Sequence, residues 1–349
     1  MTRSLRTWRR PAVVGAVLAG ASLLAAACGS TSSSSSTTSS STTASSSGTT
    51  IGFVVGAEAD PFFQSMYVGA AAEAKALGVK LVWQGDPVDY SPATQIPILQ
   101  QVLALHPNAI VVAPTDPKAL NTYMQEAVKE GIKVLNVDSG SSDQSMITSW
   151  VTGDNYQGGE TAAQALASAM DYAKNCTASN PCTVAVGVSS LTTTTDAQRV
   201  AGFKAEIKAH YPNIQVLNDV VSESEPSVAQ SGFAQDISAH HLDGIFAVDG
   251  TDAEGASAAV KAAGAEGANV KIVGYDAYAT NIQSMEAGGQ GSLSAIISQQ
   301  PTLEGKLIIE YAVDALHHKP VPHLQLIPNI LLTPSTPQSI LQKYQYVQS

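Results

Sequence analysis

The chain reads as an α/β protein made of two doubly wound parallel-sheet lobes joined by a hinge. Three observations predict this class. Short Val/Ile-rich runs alternate with longer amphipathic stretches, the pattern of strands and helices in turn. The alternation comes in two successive series. About 300 residues follow an N-terminal low-complexity tract, near the size at which one core gives way to two. Runs that are apolar throughout belong to strands buried on both faces, as in parallel sheets covered by helices. Right-handed crossovers follow from that geometry.

The first segment is an address. Arg3, Arg6, Arg9 and Arg10 precede an apolar run over 11–27 that ends in small residues, the layout of a secretory signal. "LLAAACGS" then resembles the lipobox of bacterial lipoproteins, although Ala25 sits where Leu is commoner and Leu24 is one place early. The resemblance implies that signal removal leaves a lipidated Cys28. Ordinary cleavage after Ala25-Ala26-Ala27 and an uncleaved anchor are the alternatives. Residues 30–50 are almost all Ser or Thr, a composition that cannot bury a core. With Cys28 they form a tether over 28–50, which O-glycosylation would elaborate.

Strands are expected at 50–55, 79–84, 108–113 and 132–137, with helices over 63–77, 93–105 and 117–130. A second series has strands at 182–188, 214–221, 243–248, 270–275 and 293–298. Between the series lies "SWVTGDNYQGG" (149–159), where Asp154 can cap a helix begun by Asn155. The first crossing between lobes is placed near Thr152-Gly153. A long helix at 301–317 and an extended segment at 323–334 complete the pattern.

Cys176 and Cys182 bracket the turn-rich "CTASNPC" loop. Export favours a disulfide there, with two free thiols as the alternative. No His or third Cys lies nearby, so no metal site is expected. Removing residues 1–27 leaves 14 basic against 29 acidic residues, a formal charge of −15. That argues against a nucleic-acid partner, whose phosphates need a basic face, and against electrostatic docking on anionic lipid. No second apolar stretch reaches the length of a bilayer span. His240-His241 and His317-His318 fall in helical stretches and read as solvated.

Ligands of open α/β sheets bind beyond the carboxyl ends of the strands. Asp60, Asp138, Asp249 and Asp276 stand at four such exits, two in each lobe. Taken singly, each serves helix capping as well as ligand contact. Arg199 is the sole arginine beyond the signal; the other 13 strong cations there are lysines. Its rigid fork of donors suits paired oxygens, with a structural ion pair as the alternative. Carboxylates accepting from vicinal hydroxyls, an arginine donating to oxygens and aromatics facing C–H surfaces suit a sugar or polyol. No cofactor is called for. "GxSxG", a phosphate-binding loop and a His/Cys cluster are absent from the sequence, which argues against a hydrolase.

"ADPFF" (59–63), "APTDPKAL" (113–120), "NVDSG", "GDNYQGGETAA", "DAQRVAGF" (196–203), "FAVDGTDAEGA" (246–256), "VGYDA" (273–277) and "ISQQP" (297–301) form an ordered set. It resembles the periplasmic sugar-binding proteins of the ribose and galactose type over residues 50 to about 333. The resemblance implies a type I periplasmic-binding fold with three crossings. The lobes are then 51–153 plus about 301–326, and 154–300 plus about 327–349. It implies ligand contacts by Asp60, Phe62, Phe63, Asp138, Arg199, Asp249, Asp276 and Gln299; core packing is the alternative for one of the two phenylalanines. It also implies a monomer that captures a sugar or polyol for an ABC permease, lipid-anchored at the outer face of the cell membrane. Departures are Ala113 where ribose-binding members place Asn, Ser139 where they place Arg, and Asp60 and Asp249 at positions often held by Asn. Ser222–Pro226 lies where an aromatic is expected. These changes argue against ribose and for a donor-rich hexose, inositol, other polyol or amino-sugar. Thr192–Thr195 either tunes the site or is plain surface. The same cleft would serve a sensing subunit for a kinase or chemoreceptor. A repressor of this fold would need a DNA-binding headpiece where the signal stands.

Overall fold

A computed structural model describes residues 48–347. The signal sequence, Cys28 and the Ser/Thr tract as far as residue 47 lie outside the described residues.

The first series gives β1 (Thr50–Ala57), α1 (Pro61–Leu77), β2 (Lys80–Asp86), α2 (Pro92–Leu103), β3 (Ala109–Val112), α3 (Asn121–Lys129), β4 (Lys133–Val137) and β5 (Trp150–Gly153). After it come α4 (Asn155–Ala169), the single turn α5 (Tyr172–Asn175), β6 (Cys182–Val188), α6 (Thr194–His210), β7 (Ile214–Val216), β8 (Val220–Val221) and α7 (Pro226–Ala239). Then follow β9 (Gly244–Ala247), α8 (Gly250–Ala262), β10 (Lys271–Tyr275), α9 (Ala279–Ala287), β11 (Leu293–Ser298), α10 (Pro301–Leu316), β12 (Leu324–Ile327), β13 (Ile330–Leu332) and α11 (Gln338–Tyr344).

Two sheets result. The first runs β12-β5-β4-β3-β1-β2, parallel throughout. The second runs β13-β11-β10-β9-β6-β7, parallel except for β13, which pairs antiparallel with β11. Their central strands β1, β3, β9 and β10 are apolar and almost wholly buried, because helices cover both faces. Winding reverses between β1 and β3 in one sheet and between β6 and β9 in the other. Each reversal opens a crevice at the strand carboxyl ends.

Glycines set the helix spacing. A methyl group on Gly69 of α1 would land on the Thr302 carbonyl of α10, and one on Gly159 of α4 would land on the Arg199 carbonyl of α6. These two helix pairs therefore pack backbone to backbone, one pair in each lobe.

Three expectations need correction. Residues 214–221 do not form one strand. The ladder on β6 breaks at Asn218-Asp219, where Asp219 turns out to pair with Lys204 at 2.8 Å, and it resumes as β8. The helix expected from 117 starts at Asn121, because the Asp116 carboxylate holds the Lys118 and Ala119 amides in a turn first. His240 and His317 sit at the carboxyl ends of α7 and α10, and His241 and His318 follow them, all exposed. The sulfurs of Cys176 and Cys182 are bonded, closing the loop between α5 and β6. Among the described residues no helix is long and apolar enough to cross a membrane.

Candidate ligand-binding cleft

In the first lobe, Asp60 follows β1 and caps α1. Its Oδ1 accepts from the Phe62 amide at 2.8 Å. Capping turns the helix start toward the cleft and carries Phe62 and Phe63 with it. Asp138 follows β4 in the left-handed region at φ 56°, a conformation aspartate tolerates better than most residues. Its backbone is pinned: the amide donates to Val151 O at 2.9 Å, and the carbonyl accepts from Trp150 Nε1 at 2.9 Å. The carboxylate is left facing the crevice.

In the second lobe, Asp249 caps α8, accepting from the Asp252 amide and from Thr251 Oγ1, each at 2.8 Å. Asp276 follows β10 at φ 64°. Its Oδ1 accepts from Gln299 Nε2 at 2.8 Å. Arg199 projects from α6. Its Nε donates to Asn155 Oδ1 and its Nη1 to Val248 O, both at 2.8 Å. The guanidinium lies 4.0 Å above the Tyr275 ring centroid. The close α4–α6 packing is what brings Asn155 within reach. No ion pair among the described residues includes Arg199. The surrounding acids neutralise it at longer range.

The structure brings Asp60, Phe62, Phe63, Asp138, Arg199, Asp249, Asp276 and Gln299 to one small cavity between the lobes, of about 60 Å³ with the lobes closed. Both phenylalanines are buried and both line it, so core packing and cavity wall are one role here. The lobes are closed across this space. Tyr278 Oη donates to Asp60 Oδ1 at 2.7 Å, and the Gly140 amide donates to Thr194 Oγ1 at 2.8 Å. The threonine run is therefore interlobe contact and cavity wall, since Thr193 and Thr195 also line the space.

Several lining residues escaped the sequence reading. Asp196 is buried one helical turn before Arg199 and accepts from Ser189 Oγ at 2.8 Å. Its three-residue spacing from Arg199 on one helix face was the available signal. Tyr90, stacked near Phe63, and Tyr278 supply aromatic wall, although Ser222–Pro226 carries none. Ala113 and Ser139 do not line the cavity; Ser139 Oγ donates to Pro114 O at 2.7 Å instead.

Burial pushes the Asp60 and Asp138 carboxyls up to about 7 and that of Asp196 up to about 6. Asp276 is also raised by burial, against the pull of Arg199. Burial opposes the Arg199 charge, but Tyr275, Asp276, Asp196 and Asp138 outweigh it, and the guanidinium stays protonated. The result is a cavity lined by one fixed cation and five carboxyls, with Asp276, Asp196 and Asp138 acting on the guanidinium and aromatic faces alongside. Such a lining can accept several hydroxyl hydrogen bonds and donate a few in fixed directions. Among the described residues no cluster of His, Cys, Asp and Glu is arranged to hold a metal ion.

Comparison with known proteins agrees with this geometry. The family model described as a periplasmic binding protein domain matches residues 51–320. The ribose import binding protein of Bacillus subtilis is 29% identical over 274 residues, covering 78% of this chain and 83% of that protein. The D-ribose/D-allose-binding protein of Pseudomonas aeruginosa is 32% identical over 244 residues, covering 68% and 72%. A solved ABC transporter solute-binding protein from Agrobacterium vitis, bound with α-D-tagatopyranose, superposes with a TM-score of 0.79 at 27% identity, covering 86% of this chain and all of that one. With two parallel-sheet lobes closed on one cavity, the chain belongs to the periplasmic binding protein family, among its sugar-binding members.

Proposed function

We propose that this protein is the substrate-binding lipoprotein of an ABC importer. It captures a sugar or polyol between its lobes and delivers it to a permease, with Cys28 carrying the lipid that holds it at the membrane. The reading makes it a binding protein and not an enzyme. One observation carries it above all: Arg199 and five carboxyls line one interlobe cavity walled by Phe62, Phe63, Tyr90 and Tyr278. Those carboxylates would accept hydrogen bonds from the ligand's hydroxyls, and the aromatic rings would face its C–H surface. Unpaired polar groups in a closed cavity are costly, so hydroxyl geometry sets selectivity. The lobes would open and close about the crossings, with ligand stabilising the closed form by its differential affinity.

The test is a thermal-shift screen of the soluble domain against D-ribose, D-allose, D-tagatose, D-arabinose, D-fucose, myo-inositol and D-glucosamine, followed by calorimetry. At least one compound should raise the melting temperature saturably and bind one to one. At a hundredfold excess over Kd the stabilisation is about 2.7 kcal/mol. No stabilisation across the panel would refute the sugar or polyol assignment. Heat release that decays as ligand is consumed would mark an enzyme.

A further inference from the structure

The segment after α11 crosses from the second lobe to the first. The Tyr346 amide donates to Ala277 O at 2.9 Å, beside the β10 exit. The next amide, that of Val347, donates at 2.9 Å to Oγ of Ser65, a buried residue of α1 in the first lobe. Between these anchors the Tyr346 side chain turns inward and is 3% exposed. Its hydroxyl donates to Asp276 Oδ1 at 3.1 Å and accepts from the Gln299 amide at 3.0 Å. Its ring packs edge-on against Phe62 at 5.9 Å and Tyr278 at 6.0 Å between centroids. One side chain that does not itself line the cavity thus touches four that do, from both lobes.

Three covalent crossings already join the lobes, at β5–α4, β11–α10 and β12–β13. We propose that residues 345–347 are a fourth, non-covalent crossing, a strap that favours the closed form, and that Tyr346 is the positioning residue for Asp276. This rests on the reading of the cavity as a ligand site between lobes that open. Asp276 holds the same left-handed backbone as Asp138, a conformation that its surroundings fix. Gln299 and Tyr346 both hold Oδ1, and no described residue donates to Oδ2. That second oxygen is thereby aimed and left for a ligand hydroxyl. The Val347–Ser65 bond spans the lobes, so opening must stretch or break it.

The full-length protein is tested in two arms. Without any sugar, the distance between labels on the two lobes is measured for wild type, Val347→Pro and Ser65→Ala. Each variant removes one end of the bond, and each should shift the distribution toward open. In the same samples and in Tyr346→Phe, the Asp276 carboxyl is followed by carbon NMR. The phenylalanine variant keeps the ring, loses the donor and should titrate the carboxyl higher. With sugar, affinity for D-ribose, D-allose, D-tagatose, D-arabinose and D-fucose is measured by calorimetry. Tyr346→Phe should weaken whichever sugar binds by about tenfold or more. That loss should vanish in an Asp276→Asn background. An unchanged lobe distance overturns the strap. An unmoved Asp276 titration, or a full loss on top of Asp276→Asn, overturns the positioning role. If no sugar binds wild type, the ligand assignment fails alone, and the sugar-free arm still decides the strap and the positioning role.

Discussion

Arg199 commits two of its five N–H donors before any ligand arrives, Nε to Asn155 and Nη1 to Val248 O. Three donors on a plane fixed by the Tyr275 face remain for the cavity. Lysine would keep the charge but could not hold both anchors and still aim a donor pair. Arg199→Lys should therefore lose about 10- to 100-fold in sugar affinity, the equivalent of one or two charge-assisted hydrogen bonds. Calorimetry on the purified variant checks this; affinity within about twofold of wild type would remove Arg199 from the ligand contacts. The residues legible in the sequence were those that obey a positional rule. Asp60, Asp138, Asp249 and Asp276 each stand directly after a strand, and Arg199 stood out by rarity. Tyr90 and Tyr278 obey no such rule. One lies in the loop between β2 and α2 and the other two places past Asp276, and only the tertiary closure turns both rings toward the cavity. Tyr346 was illegible for the same reason, since its partners lie 47 and 70 residues away along the chain.

At the scale of elements, the site depends on how closely α4 approaches α6. Gly159 has no room for a methyl group against the Arg199 carbonyl, nor does Gly202 of α6 against the Tyr156 carbonyl. Both obstacles are backbone, which cannot swing aside as a side chain would. Gly159→Ala should push the helices apart, cost about 1–3 kcal/mol of stability as overpacking does, and pull Asn155 away from Arg199 Nε. Urea unfolding checks the first effect and sugar calorimetry the second. Full stability with unchanged affinity would show that the helix spacing does not govern the guanidinium. Element order was readable because buried parallel strands are apolar throughout, whereas ends were set by contacts absent from local sequence. Asp116 delays α3 by holding two amides, and Lys204 draws Asp219 out of what would have been one strand.

For the whole molecule, the cavity acids tie the opening of the lobes to pH. Closure without ligand strips water from Asp60, Asp138 and Asp196, and burial raises them from an ordinary 3.8 to about 7, about 7 and about 6. In an open cleft these carboxyls regain water and return toward their ordinary value. Between about pH 4 and pH 7 the closed empty form therefore binds more protons than the open one. Lowering the pH through that window favours closure. Above pH 7 the groups are ionised in both forms, and the full cost of burying their charge opposes closure. A sugar whose hydroxyls donate to the carboxylates offsets the same cost, so acid and ligand act in one direction. The expected outcome is a distance distribution between lobe labels, recorded without sugar, that shifts toward closed as pH falls from 8 to about 5. Asp138→Asn removes one titrating group and should flatten the response without abolishing it, because Asp60 and Asp196 remain. A distribution that opens on acidification, or stays constant across the range, would mean that the empty cavity keeps its water and that the carboxyls are not the groups resisting closure.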